Sequence, residues 1–245
     1  GLLSVPRIVA VMPEAAAVSA ALPTDDDQLT GVVSLEAVRR LTGLLTASPQ
    51  YYTKALLEGL VASIGGVDAA LTRAASSALV DVILAATAGS SSSQSAHPAE
   101  ALVASTLVDI WQRHAKSSRM AGPLLRTADL LVTQVPGIMS ARVPAPPPAA
   151  SSSGAAAATS SADAPFPDVV VELCRAETRQ CSDVARLESA ASMLCHLLPA
   201  PNPCRTSAYQ GLLVLLGSKY PKVRRHTAEQ LYLALLALEP TETGG

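Results

Sequence analysis

The chain is poor in aromatic residues: of 245 residues only 3% are aromatic, with one Trp and one Phe. Any core must therefore come from Ala, Leu and Val, since 49% of the residues are still hydrophobic. Strands favour β-branched and aromatic side chains whereas Ala and Leu favour helices, so an all-α fold is expected. A surplus of one charge sign is also missing. A formal net charge of -2 argues against nucleic-acid and membrane-surface partners, because phosphate contacts need a concentrated basic surplus. Four cysteines, Cys174, Cys181, Cys195 and Cys204, stand at irregular spacings with no CxxC pair. That pattern argues against a disulfide framework and a paired zinc site, and predicts reduced thiols. No uninterrupted apolar run of about 18 residues is present, so no membrane-spanning helix is expected.

Catalytic signatures are missing as well. There is no G-x-x-x-x-G-K-[ST] and no G-x-G-x-x-G to cradle phosphates. There is no G-x-S-x-G elbow, and the serines at Ser90 to Ser93 read as linker. Cys195, His196 and Cys204 lie close in sequence, but neighbours on a helix point about 100° apart and a fourth ligand is not evident, so a buried structural thiol is the simpler reading. No catalytic, cofactor-binding or metal-ligating residue is assigned, and the chain is expected to act by binding, with no cofactor.

What is present is helical periodicity, punctuated by Pro and Gly. Residues 1–30, broken by Pro6, Pro13 and Pro23 and carrying Asp25-Asp26-Asp27, read as an irregular lead-in from upstream repeats. The opening Gly1 suggests a sequence entered part-way. Residues 31–138 read as helical hairpins. Val33, Ala37, Val38, Leu41, Leu44 and Leu45 make a stripe, the segment from Tyr52 to Ile64 repeats it, and Gly65-Gly66 stop it. Its partner runs from about Asp68 to Ala86. Two further helices, Ala99 to Lys116 and Met120 to Val135, would turn Leu102, Thr106, Val108, Leu124, Leu125, Ala128, Leu131 and Val132 inward.

Residues 139–167, dominated by Ala, Pro and Ser from residue 142 onward, read as a disordered linker. Residues 168–240 resume as hairpins. A helix of about Asp168 to Arg179 precedes one of about Asp183 to Leu198 with a stripe of Val184, Leu187, Ala191, Leu194, Leu197 and Leu198. In the terminal pair Leu212, Leu213, Leu215 and Leu216 stop at Gly217, Tyr220-Pro221 breaks the chain, and Val223, Thr227, Leu231 and Leu235 restart at four-residue spacing. Setting Leu71, Ala75, Leu79 and Ile83 beneath that last set gives the same spacing, a weak internal repeat. Hairpins of this kind cannot bury their apolar faces alone. The expected architecture is therefore a HEAT/armadillo-like α-solenoid of about four stacked hairpins, with essentially no strand and a function in partner binding.

Two segments carry a family resemblance. Leu56-Leu57-Glu58-Gly59-Leu60-Val61-Ala62-Ser63-Ile64-Gly65-Gly66 resembles a helix and double-glycine turn of the C-terminal region of tubulin-folding cofactor D. Lys219 to Leu236, with its proline, basic residue, Thr227-Ala228 step and Tyr232, resembles that family's last strong motif. The two occur in the family's order and span about residues 30 to 238. The resemblance implies a chaperone that binds β-tubulin and helps assemble the α/β-tubulin heterodimer with the other tubulin-folding cofactors. It also implies an Arf-like small GTPase as a partner, an indirect GTPase-activator role toward tubulin, and a cytoplasmic, microtubule-associated location. An unrelated HEAT or armadillo scaffold is the alternative.

Three features are candidates for recognition. Lys219, Lys222, Arg224 and Arg225 cluster on the turn between the last two helices, either as a solvated turn or as a patch steering an acidic partner. Trp111 is either an exposed anchor or a core residue. His226 reads as part of a solvated helix start.

Overall fold

The computed structural model describes residues 53–66, 68–88, 97–115, 117–144 and 163–238. The expected lead-in at 1–30, the stripe from Val33 to Leu45, the serines at 90–93 and most of the linker, 145–162, lie outside the described residues. Helix dominates, as the composition requires. The chain divides into two units between residues 91 and 92. The hairpin that ends the expected run over 31–138 groups with the helices that follow it.

In the first unit α1 (Thr53–Ile64) and α2 (Ala69–Thr87) form a hairpin. Gly65 N–H donates to the Val61 carbonyl at 3.1 Å, ending α1. Asp68 starts α2 because its Oδ1 accepts from the backbone N–H of Ala70 at 2.7 Å and of Leu71 at 3.2 Å. Leu57, Leu60, Val61 and Ile64 are buried on α1, and Ala75, Ala78, Leu79 and Ile83 on α2. By length and composition alone α2 could cross a membrane, a test that the core helix of a soluble protein passes equally. Scattered Ser, Thr, Arg73 and Asp81 break the apolar run without lowering its average.

Among the described residues the second unit holds three hairpins. They are α3 (Pro98–Arg113) with α4 (Ser118–Gln134), α5 (Phe166–Thr178) with α6 (Val184–His196), and α7 (Cys204–Leu216) with α8 (Pro221–Leu238). Helices α3, α5 and α7 pack side by side as one layer, and α4, α6 and α8 as the other. Polar rungs fix the direction of the second layer. Arg186 Nη2 donates to the Ser118 carbonyl at 3.2 Å, and His196 Nδ1 meets Asp129 Oδ1 at 2.5 Å, at separations of 68 and 67 residues. Lys222 Nζ meets Glu188 Oε2 at 3.0 Å and His226 Nε2 meets Ser192 Oγ at 3.1 Å, both 34 residues apart. Both members of each set advance together along the chain, so α4, α6 and α8 run parallel. That is the geometry of a stacked helical repeat.

Where the linker was expected, its two ends pair. β1 (Arg142–Pro144) and β2 (Asp163–Pro165) form an antiparallel ribbon with Val143 opposite Ala164. Val143 is fully buried, and Phe166 N–H, opening α5, donates to the Ala141 carbonyl at 2.8 Å. The ends of the expected linker, 139–144 and 163–167, are thus ordered, while two three-residue strands among the described residues leave the fold all-α with essentially no strand, as expected. Ile138, Val143 and Phe166 are the apolar residues that hold the ends, and the composition average over Ala, Pro and Ser concealed them.

The inner face of α3 is also shifted by one residue. Val103, Ala104, Leu107, Val108, Ile110 and Trp111 are buried, whereas Leu102 and Thr106 are half-buried. Trp111 decides this register, because its large ring, fully buried, selects the face carrying Ala104, Leu107 and Val108.

A capping box starts α3: His97 Nδ1 accepts from Ala99 N–H at 3.3 Å, and Glu100 Oε2 accepts from His97 N–H at 2.8 Å. Gly137, in the 3₁₀ turn Pro136–Ser140, lies against the Glu100 carboxylate, where a Cβ would overlap both oxygens. Gly137→Ala should therefore displace the carboxylate from its cap and destabilise by about 1 kcal/mol. In a Glu100→Ala background the same change should cost much less. Denaturant melts of the four proteins measure that coupling, and additive costs would show that the carboxylate moves aside freely.

The His196–Asp129 rung titrates. Its hydrogen bond to the Asp129 carboxylate raises the His196 pKa above its ordinary value, while burial opposes the shift. Because the folded value exceeds the unfolded one, the stabilisation is complete below about pH 6.5 and is lost as pH rises through the folded value. His196 is 41% exposed and Asp129 29%, so solvent screening holds the contribution below about 1 kcal/mol. Asp129→Asn should lower the melting temperature by up to about 3 °C near pH 5.5 and leave it unchanged near pH 9. Equal melting of parent and variant at both pH values would show that the rung carries no net charge interaction.

Candidate partner-binding surface

The turn joining α7 to α8 is built by local hydrogen bonds. Gly217 and Ser218 N–H groups donate to the carbonyls of Leu213 and Leu215 at 3.2 and 3.0 Å, and Tyr220 N–H donates to Ser218 Oγ at 3.3 Å. Pro221 then opens α8, where its missing N–H costs nothing.

The four basic residues do not form one face. Lys219 Nζ sits 5.0 Å above the Tyr220 ring. Lys222, its side chain 75% exposed, points to α6 and pairs with Glu188. Arg224 Nη1 donates to the Ser218 carbonyl at 2.8 Å. Arg225 turns outward and pairs with Glu229 at 2.7 Å, the hydrogen bond to that carboxylate raising the guanidinium pKa. Consecutive helical positions differ by about 100°, which sets Lys222 and Arg224 on opposite flanks of α8. The cluster read from sequence is thus spread around one helix end, with two of its charges already paired. Exposed pairs of this kind contribute little and exchange readily with a partner's carboxylate.

The remaining sequence candidates are structural. Trp111 is 0% exposed and belongs to the core of the α3–α4 hairpin, so it presents no anchor. His226 does not stand in solvent: it is half-buried on Ser192 and ties α8 to α6. Cys204 Sγ donates to the Pro167 carbonyl at 3.4 Å and His196 is turned onto Asp129. Burial pushes the Cys195 thiol up to about 11 and the Cys204 thiol up to about 12, the second helped by Asp168 and Glu172. Cys174 is raised as well, chiefly by burial. All three stay protonated near neutral pH, so none is a ready nucleophile.

A second surface feature went unread in the sequence. Leu213, Val214, Tyr232, Leu233, Leu235 and Leu236 are all exposed, by 41% to 70%. The stripe expected to run inward along α8 buries Val223 and Thr227, half-buries Leu231 and leaves Leu235 open. The signal was helix length: α8 has 18 residues against 13 in α6, so its last turns pass beyond the neighbour that would cover them. A cavity of about 270 Å³ opens at this overhang, lined by Val132, Cys195, His196, Pro199, Ala234 and Leu238 among others.

A family model described as tubulin folding cofactor D C terminal matches residues 2–135. No solved structure matches the chain. The matched range holds the Leu56–Gly66 segment and the whole α3–α4 hairpin, and it stops before the basic turn at 219–225. Since the match covers more than half of the sequence, the chain belongs to the tubulin folding cofactor D C-terminal family.

Proposed function

We propose that this chain contributes to a tubulin-folding chaperone that binds β-tubulin and helps assemble the α/β-tubulin heterodimer together with the other tubulin-folding cofactors. The observation that carries this reading is the family match over residues 2–135. It also displaces the alternative of an unrelated repeat scaffold. The stacked-hairpin architecture of the second unit supports a role in binding, because solenoids offer extended surfaces and not enclosed pockets. The raised thiol pKa values leave Cys195 and Cys204 as packing residues of the stack. On this reading any stimulation of GTP hydrolysis by tubulin is indirect, through the tubulin conformation the chaperone prefers. The Arf-like small GTPase partner and the cytoplasmic, microtubule-associated location follow from the same family reading.

Within this function the basic turn steers association. Lys222→Glu with Arg224→Glu should slow binding to purified tubulin and flatten its salt dependence, since steering charges act mainly on the on-rate and are screened within about 8 Å at physiological salt. Reversing Lys222 also breaks its rung to Glu188, so Arg224→Glu alone and circular dichroism of each variant keep lost folding apart from lost steering. Stopped-flow association across a salt series tests the turn, and identical rates would remove it from the interface. Failure of the parent chain to co-elute with tubulin and its sister cofactors would overturn the function itself for these residues.

A further inference from the structure

The turns inside the three hairpins share one edge of the second unit. Because α4, α6 and α8 run parallel, their N-terminal ends lie side by side, with Arg186 on Ser118 and Lys222 on Glu188 tying neighbouring ends together. Residues 113–119, 178–186 and 216–225 form the turns and the helix ends beside them. They carry nine basic residues and one acidic residue, Asp183. In a chain of net charge -2 this is segregation of charge and not a general surplus. Asp183 is already engaged as the cap of α6, its Oδ1 accepting from Ala185 and Arg186 N–H at 3.0 and 3.3 Å. The described connections at the opposite edge, 135–144, 163–165 and 197–203, hold one cation, Arg142, and one acid, Asp163. On the basic edge, Arg119 and Arg179 are exposed and make no hydrogen bond or ion pair among the described residues. Lys219 is exposed above Tyr220, and Arg225 is held only by its exposed pair with Glu229. Three parallel helix N-termini add positive potential of their own. At α4 the cap residue Ser117 makes no side-chain hydrogen bond, which leaves first-turn N–H groups open to an incoming acceptor.

We propose that this edge docks an extended acidic peptide segment of a second protein, laid across the three turns so that its carboxylates meet Arg119, Arg179 and the α7–α8 turn in order. The argument is charge complementarity at a fixed spacing. Packed helices stand about 8–10 Å apart, which sets the distance from one turn to the next. An extended chain in the polyproline II conformation turns every third side chain to the same side, about 9 Å apart. Acidic segments repel themselves into extended forms, so little ordering is needed on binding. A carboxylate on a free guanidinium gains a charge-assisted, two-pronged hydrogen bond. Single-stranded nucleic acid fits worse, since it needs exposed aromatic faces for stacking. The one aromatic residue of this edge, Tyr220, is half-buried beneath Lys219. The strip reaches beyond the α7–α8 turn, and its first contact, Arg119, lies inside the family-matched range.

The test uses the full 245-residue chain and a fluorescein-labelled peptide of about nine residues with Glu at every third position, followed by anisotropy at low salt. Saturable binding is expected, lost when the peptide's Glu residues become Gln. Arg119→Glu and Arg179→Glu should each weaken it roughly threefold, and together roughly tenfold. Arg142→Glu makes the same change of net charge at the opposite edge and should leave affinity unchanged. Circular dichroism of each variant controls for folding, which changes at exposed Arg119 and Arg179 should not disturb. An equal loss of affinity in Arg142→Glu would reduce the effect to net charge and overturn the proposal, as would no binding at all. Tighter binding of an oligothymidine or of phosphatidylserine vesicles than of the peptide, at the same salt, would overturn the acidic-peptide assignment. The inference does not depend on tubulin: peptide binding without tubulin association would sink the chaperone reading alone, and tubulin association without peptide binding would sink the strip alone.

Discussion

Helix α6 is the element on which the second unit depends, because both neighbours in its layer are registered against it. Its burial is achieved with small and flexible side chains, Ala190, Ala191, Met193 and Leu194, since the sequence offers almost no aromatic bulk to fill wider gaps. Reaching normal interior density with such residues requires the helices to approach closely. Gly211 shows how close: a Cβ at that position would come within 2.8 Å of Leu194 Cδ1. Alanine-rich faces alone would slide past one another. The rungs from Arg186, His196, Glu188 and Ser192 to the flanking helices remove that freedom by adding direction and register to contacts that have neither.

The repeat register follows from the same rungs. Between α6 and α8 the paired residues are 34 apart, whereas between α4 and α6 they are 67 and 68 apart. The extra length is taken up by the 3₁₀ turn, the ribbon and the segment between the ribbon strands. Because the ribbon holds the ends of that segment together, the insertion lengthens the chain without widening the stack. Loop length is tolerated thermodynamically when its ends are fixed, as the closure entropy grows only slowly with length.

Sequence periodicity located the described helices to within two or three residues, because Ala/Leu stripes bounded by Pro and Gly are strong local signals. The misses arose where tertiary context decides. The face of α3 turned on Trp111, whose burial outweighs a locally equal choice between Leu102 and Val103. The ribbon was hidden because Val143 and Phe166 are isolated apolar residues in a segment whose average composition opposes order. At the candidate surface, the turn and its four cations were legible, but their directions were not. Residues adjacent in sequence diverge around a helix, and Glu188, which claims Lys222, lies 34 residues away. The open leucines were missed because four-residue spacing reports a stripe without saying which neighbour covers it.

That last ambiguity is itself informative about repeat proteins. A stripe on an internal helix and a stripe on a terminal helix have the same sequence pattern, since both are written by the same stacking rule. Only the length of the neighbour separates them, and α8 outruns α6. At each described junction of the second layer the later helix brings a cation near its N-terminal end to an acceptor on the earlier one, Arg186 to the Ser118 carbonyl and Lys222 to Glu188. What lets α8 settle against α6 is therefore the pair of rungs from Lys222 and His226, with apolar burial at Val223 and Thr227 beside them.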